Sequence, residues 1–272
     1  MPFFDADDAA IYYEIAGDGP PLVLLHGYAL NGRMWEYQAP VFSKSYKIIT
    51  VDLRGFGRSS CGKNWSGAIM ASDVIGLISF LKLRNVAVLG FSMGGPVAIR
   101  AAILMPEVVT RLILVSSVLP SKGLPNTKVE ERHNRKELEI LKSRGIEGWA
   151  ESIGMWNGPL LGDMLKNNPD LENRWRMMIS AHDVNYLSNM MTARLTTESS
   201  MDWRSRLREI QQKTLVIAGA GDKNFIDASK RLAQDIPNSE MVIIDGAGHI
   251  VNLERPEEFN RAVLEFLKKQ KN

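Results

Sequence analysis

Residues 86–105 read VAVLGFSMGGPVAIRAAILM, and two kinds of local signal meet at their centre. VAVL is apolar without alternation, as a strand buried on both faces of a parallel sheet reads. GPVAIRAAILM (95–105) reads as a helix, with Pro96 in the first turn where no amide donor is missed. Between them, Gly90-Phe91-Ser92-Met93-Gly94 fits G-x-S-x-G. A strand that runs straight into a helix must bend sharply, so the residues two before and two after the serine must be small. The bend lifts the hydroxyl above the sheet, and the helix N-terminus favours negative charge developing there. Five residues alone carry little weight; the strand before them and the helix after them supply it.

Outward from this stretch the same grammar recurs. PLVLLHG (21–27), YKIITVDL (46–53), RLILVSS (111–117), TLVIAGAGD (214–222) and EMVIIDGAGH (240–249) are rich in Val, Ile and Leu and end in Gly, Asp, Ser or His. Helix-like stretches lie between several of them: SDVIGLISFLKL (72–83), DASKRLAQDI (227–236) and PEEFNRAVLEFLKKQ (256–270). Strand–helix alternation predicts an α/β doubly wound, mostly parallel sheet. Ligands of such sheets sit at the carboxyl ends of the strands, where these polar endings fall. Between about 120 and 205 the alternation stops. KVEERHNRKELEILKSRG (128–145) is helical and charged, and Trp149, Trp156 and several Met follow. This segment reads as inserted helices.

Composition narrows the function classes. Of 272 residues, 45% are hydrophobic and 24% charged, which suits a soluble globular enzyme. Lys plus Arg number 33 against 31 Asp plus Glu, so no overall field points to nucleic acid or an anionic membrane. Cys61 is the sole cysteine and has no thiol partner in the chain, as in proteins of a reducing compartment. MPFFDADDAA (1–10) has no basic residue and no apolar lead, and no run is long enough to cross a bilayer, so the expected location is cytoplasmic. Walker A, GxGxxG and HExxH patterns are absent, so neither cofactor nor metal is expected.

A serine nucleophile needs a base and an acid to orient it. The chain has four histidines. His133 sits in a charged run and His182 in the inserted segment, as surface or insertion residues would; His26 precedes Gly27 at a strand end. His249, on the D-G-A-G-H turn between the last strand and the last helix, is the candidate base. RLILVSS ends without a carboxylate, whereas TLVIAGAGD ends in Asp222, giving the chain order Ser…Asp…His. Asp52 and Asp245 are the alternatives to Asp222. Acyl transfer also needs two backbone amides on the oxyanion. Met93, next to the nucleophile, is one candidate donor, and the loop His26-Gly27-Tyr28 after the first core strand supplies the other.

The G-F-S-M-G-G form, with HGYALNGRMW (26–35) and DLRGFGRSS (52–60) upstream, resembles the α/β-hydrolase superfamily. The likeness is to its esterase, lactonase and cofactor-free haloperoxidase branch, and to the carrier-protein methyl esterases of biotin synthesis. The resemblance implies that Asp222 is the acid, that Asp52 and its neighbouring Arg brace loops, that His26 supports its own loop and that the Tyr28 amide serves the oxyanion hole. AHDVNYLSNMMTARLTTE (181–198) is similar to the last helix of a cap. The implied division is 1–118 core, 119–204 helical cap and 205–272 core. Trp149, Trp156, Met190 and Met191 line an apolar acyl pocket on this reading, or else form the cap's own core. Dehalogenase and epoxide hydrolase relatives carry Asp at the position of Ser92, which argues against those reactions. The expected activity is hydrolysis of small to medium carboxylic esters or lactones through an acyl-enzyme on Ser92. The rivals are C–C bond hydrolysis, perhydrolysis or non-catalytic ligand sensing on the same fold. The expected partner is a small-molecule substrate, and no oligomeric state is indicated.

Overall fold

The computed structural model of the chain describes residues 2–117, 128–154, 168–196 and 203–269. Its strands are β1 (Phe3–Ala6), β2 (Ala9–Ala16), β3 (Pro21–Leu25), β4 (Lys47–Val51), β5 (Val86–Phe91), β6 (Val109–Val115), β7 (Lys213–Gly219) and β8 (Ser239–Ile244). They form one sheet in the order β1-β2-β4-β3-β5-β6-β7-β8. All pairings from β4 to β8 are parallel, while β1–β2 and β2–β4 are antiparallel. The apolar runs of the sequence thus become the parallel part of an α/β sheet. The β1–β2 hairpin was not anticipated. Its β2 alternates between buried and half-buried residues, as a strand facing water on one side does. Its turn residue Asp7 sits at φ 49°, which a short polar side chain tolerates.

Burial is deepest at the sheet's centre. All six residues of β5 are buried, as are Leu22–Leu25 of β3. Each strand ends short of its polar motif, so Gly27, Asp52, Ser92, Asp222 and His249 fall on loops beyond the carboxyl ends. Those loops are the part of the fold that presents chemistry.

Helices α1 (Ala39–Phe42), α2 (Gly67–Phe80) and α3 (Gly94–Leu104) belong to the first half of the sheet. Ser66 starts α2 by accepting the Ile69 amide at 3.2 Å, satisfying one of the orphan donors of the first turn. Helix α3 packs on β3, β5 and β6. After β6 come α4 (Lys128–Ser152), interrupted at Gly145 with φ 67°, then α5 (Pro169–Ser180) and α6 (Val184–Thr196). Helix α4 packs on both α5 and α6. Asn168 caps α5 through the Leu171 amide at 3.1 Å, and Pro169 occupies the first turn. The chain then returns through β7, α7 (Ile226–Asp235), β8, α8 (Val251–Glu254) and α9 (Pro256–Lys268). The expected boundary at 118/119 and Trp156 lie outside the described residues. Among the described residues, no helix is long and apolar enough to cross a membrane.

The DLRGFGRSS loop shows why Asp and Arg stand there. Asp52 accepts the amides of Gly32 at 2.7 Å and Arg58 at 2.8 Å, tying the loop after β4 to the loop after β3. Arg54, 2% exposed, donates to both oxygens of Asp73 on α2 at 2.7 and 2.8 Å and also pairs with Asp8 of the β1–β2 turn. Cys61, at the end of this loop, is buried, and burial pushes its thiol up to about 12. Removing one member of a buried pair strands the other, at about 3–5 kcal/mol. Arg54→Ala, which leaves the buried Asp73 carboxylate without its donors, is therefore expected to lower stability by about that amount in urea unfolding, well beyond Arg58→Ala, whose side chain is 43% exposed.

Candidate active site

The turn after β5 is held in a conformation that few side chains adopt. Ser92 has φ 48°, a left-handed value that costs about 1–3 kcal/mol for a residue other than glycine. The surroundings fix it: the Ser92 amide donates to Val115 O at 2.8 Å, the Gly95 amide donates to Ser92 O at 3.0 Å, and the Ser117 hydroxyl has Val115 O at 3.0 Å and Ser92 O at 3.2 Å as acceptors for its one proton. A Cβ on Gly90 would collide with the Gly94 carbonyl, and one on Gly94 would lie 2.6 Å from Leu25 O. The spacing of glycines around the serine thus records how closely β3, β5 and α3 approach.

His249 lies over this turn. Its Nδ1–H donates to Asp222 Oδ2 at 2.8 Å, which leaves the Nε2 lone pair to accept the Ser92 hydroxyl at 3.2 Å. His249 is 6% exposed and Asp222 3%. The imidazole is flanked by the rings of Phe225, 4.3 Å between centroids, and Phe91, 5.0 Å. The structure therefore brings together the serine, histidine and aspartate singled out in the sequence. Asp245 is exposed, and Asp52 is occupied with the Gly32 and Arg58 amides.

Two residues that the sequence did not reveal hold this arrangement. Glu254 of α8, 5% exposed, accepts the amides on both sides of the histidine: Gly248 at 2.8 Å and Ile250 at 3.1 Å. Burial raises its pKa, against the pull of those two amides. Ser117 is the other, through its bond to the strained turn. A glutamate five residues past a histidine, or a serine after a strand, has no periodicity to mark it.

The loop after β3 faces the same turn. A Cβ on Gly27 would lie 2.8 Å from the Phe91 ring and 3.3 Å from Ser92 Cβ, so the chain entering Tyr28 runs against the nucleophile turn. Among the described residues, neither the Tyr28 nor the Met93 amide is taken up by a backbone hydrogen bond in the turns and loops. His26 is buried; it accepts the Leu53 amide on Nε2 at 2.8 Å and donates Nδ1–H to Gly27 O at 2.7 Å. That is the work of a loop support.

The inserted helices meet the core over this loop. Tyr28 donates its hydroxyl to Glu137 Oε2 of α4 at 2.8 Å, and Trp149 Nε1 donates to the same oxygen at 3.3 Å. Trp149, Met190 and Met191 are at most 1% exposed. Met190 packs where Gly55 leaves room: a Cβ there would lie 2.6 Å from Met190 Cβ. His182 is 5% exposed, with Nδ1 2.7 Å from Ile179 O and Nε2 3.2 Å from Leu30 O of the core. His133 is largely exposed and reaches Glu137 Oε1 at 2.8 Å. No group of three or more His, Cys, Asp or Glu among the described residues is arranged to hold a metal ion.

A family model described as alpha/beta hydrolase fold matches residues 20–256. A Bacillus subtilis protein provisionally named 2-succinyl-6-hydroxy-2,4-cyclohexadiene-1-carboxylate synthase is 29% identical over 265 residues, covering 94% of this chain and 95% of its own. A Synechocystis protein provisionally named non-heme chloroperoxidase is 31% identical over 267 residues, covering 94% of each. Among solved structures, a thermophilic esterase from Thermogutta terrifontis superposes with a TM-score of 0.82 at 27% identity, over 96% of this chain and 93% of that one.

Burial holds His26 down to about 4, below the ordinary histidine value of 6.5. A histidine kept neutral in the fold contributes stability above its unfolded pKa and loses it as pH falls, here from about 6.5 toward about 4, up to about 3 kcal/mol in all. Imidazole nitrogen NMR at pH 5.5 is accordingly expected to show His26 neutral with its proton on Nδ1. A doubly protonated ring at that pH would contradict the arrangement.

Proposed function

The chain belongs to the alpha/beta hydrolase fold family, and we propose that it is a serine hydrolase acting on carboxylic esters or lactones of small to medium size. The observation that carries this is the pair of hydrogen bonds through His249: Asp222 at 2.8 Å on one nitrogen and Ser92 at 3.2 Å on the other. With Asp222 taking Nδ1–H, the imidazole is held in the tautomer that can accept a proton from the serine.

In the proposed reaction, His249 removes the Ser92 proton as Oγ attacks the carbonyl carbon. The resulting oxyanion is received by the amides of Tyr28 and Met93, aided by the N-terminal end of α3. Protonated His249 then gives its proton to the leaving alkoxide, completing the acyl-enzyme. Water, deprotonated by the same imidazole, attacks the acyl carbon; the imidazolium then returns that proton to Ser92 Oγ as the C–O bond breaks and the acid leaves. Every step uses side chains and amides of this chain, so no cofactor or metal enters. The inserted helices act as a cap, and Trp149, Met190 and Met191, at most 1% exposed, serve as the apolar packing of that cap against the core and not as the wall of the acyl pocket.

The names of the relatives span a synthase, a chloroperoxidase and an esterase, so the substrate is assigned from the site and not from any one of them. An activated serine, a general base and an oxyanion hole are sufficient for ester hydrolysis, the activity that the name of one of these relatives states. A panel of acyl esters and lactones, assayed with wild type and Ser92→Ala, tests the assignment. Turnover of none, or turnover that survives Ser92→Ala, would sink it.

Three outcomes follow from the geometry. A fluorophosphonate probe is expected to label Ser92, with the adduct located by mass spectrometry; an adduct on Ser116 or Ser117 would misplace the nucleophile. Asp222→Asn is expected to keep the fold and lose about 10⁴-fold in kcat, because the other imidazole tautomer is then favoured. The exposed Asp245, changed to Asn, is expected to stay within about 3-fold of wild type.

A further inference from the structure

Glu137 is a carboxylate with an unusual set of neighbours. It lies on α4 of the insertion and is 6% exposed. Oε2 accepts the Tyr28 hydroxyl at 2.8 Å and Trp149 Nε1 at 3.3 Å, and Oε1 faces His133 Nε2 at 2.8 Å. Burying a carboxylate is costly unless its oxygens are hydrogen-bonded, so this charge fixes whatever donates to it. Burial, reinforced by the Glu137 charge beside it, pushes the Tyr28 phenol well above its ordinary value, so Tyr28 remains a donor. A second inserted helix takes the same side chain: Arg194 of α6 donates Nη1 to the Tyr28 oxygen at 3.4 Å, and its guanidinium lies 5.4 Å from the ring centroid.

Tyr28 is thus held at both ends. Its phenol is gripped by two helices of the insertion, and its backbone follows Gly27, which packs on Ser92 Cβ and the Phe91 ring. The ring is also wedged edge-on against Phe56 of the core, 5.5 Å between centroids, and Trp149, 6.3 Å. A stiff aromatic side chain fixed at its tip transmits the position of that tip to its own backbone. A displacement of α4 would therefore be felt at the Tyr28 amide.

We propose that Glu137 is a positioning residue for the reaction: by holding the Tyr28 hydroxyl it sets the Tyr28 amide, so the oxyanion hole is complete only when the inserted helices are seated. This rests on the reading above in which the Tyr28 amide receives the oxyanion. Glu137 touches neither substrate nor reacting atoms and acts only through Tyr28. A carboxylate that merely glued the insertion to the core would change melting temperature and leave the chemical step alone.

The test uses the full chain with p-nitrophenyl acetate as substrate, comparing Tyr28→Phe, Glu137→Ala, Glu137→Gln and the Tyr28→Phe/Glu137→Ala double variant. Tyr28→Phe and Glu137→Ala are each expected to lower kcat about 10-fold with KM within about 3-fold, less than the 10²–10³ lost when an oxyanion donor is removed outright. The double variant is expected to be no slower than the slower single, since both break one link. Glu137→Gln, whose amide oxygen still accepts from Tyr28, is expected to stay within about 3-fold of wild type. A folded Tyr28→Phe with wild-type kcat, or losses that multiply in the double variant, overturns the proposal. Should Glu137→Ala fail to fold, Tyr28→Phe decides alone, because it removes one oxygen atom and no packing. Wild-type turnover that does not need Ser92 would instead defeat the serine hydrolase reading. The link is then judged by hydrogen exchange of the amides of residues 28–30: faster exchange there in Tyr28→Phe upholds it, and unchanged exchange overturns it.

Discussion

The close approach of one strand and one helix at Ser92 is the constraint on which the rest of the molecule depends. β5 must end and α3 begin within the span of a single turn, and the cost appears as a left-handed serine. Glycine at 90 and 94 is what sterics leave when two backbones come that near. The neighbouring strand ends accept the consequence: Val115 O and the Ser117 hydroxyl hold the turn from β6, and Gly27 lets the β3 loop lie against it. Rigid parallel strands supply the support, and the loops at their carboxyl ends carry the polar groups.

A second layer of support keeps those loops from moving independently. His26 ties its own loop to Leu53, Asp52 ties the loop after β4 to Gly32, and Glu254 clasps the amides either side of His249. Each is a buried polar group with its hydrogen bonds satisfied, the condition under which such groups rigidify a structure instead of destabilising it. The inserted helices join this network through Glu137, Trp149 and His182.

The parallel sheet was legible because its central strands are buried on both faces and so read as unbroken apolar runs; edge strand β8 is apolar in sequence although only Ile244 of it is buried. Ser92, Asp222 and His249 stand at or shortly after the ends of such runs, in a fixed chain order; Asp52 also follows one, and the preference for Asp222 over it rests on the family resemblance. The hairpin β1–β2 escaped because many of its side chains face water, and its one apolar run, AAIYY (9–13), is short of the Val, Ile and Leu that mark the parallel strands. Glu137, Ser117 and Glu254 escaped for a different reason. Their partners lie far off in sequence, as with Tyr28, 109 residues away from Glu137, or are backbone amides, which leave no mark in a sequence. His182 was placed with the insertion, but its burial against Leu30 O could be read only from tertiary structure.

Cys61, tucked under the loop that Arg54 and Asp52 brace, has an experimental consequence. Its buried thiol, pushed up to about 12, is almost wholly in the unreactive neutral form at pH 7–8. The native protein therefore needs no cysteine removed before a reporter is attached. A cysteine placed at Met177 on α5, 58% exposed on the inserted helices, would be the one thiol open to maleimide chemistry. A fluorophore or spin label there would follow the inserted helices against the sheet in an otherwise unaltered chain.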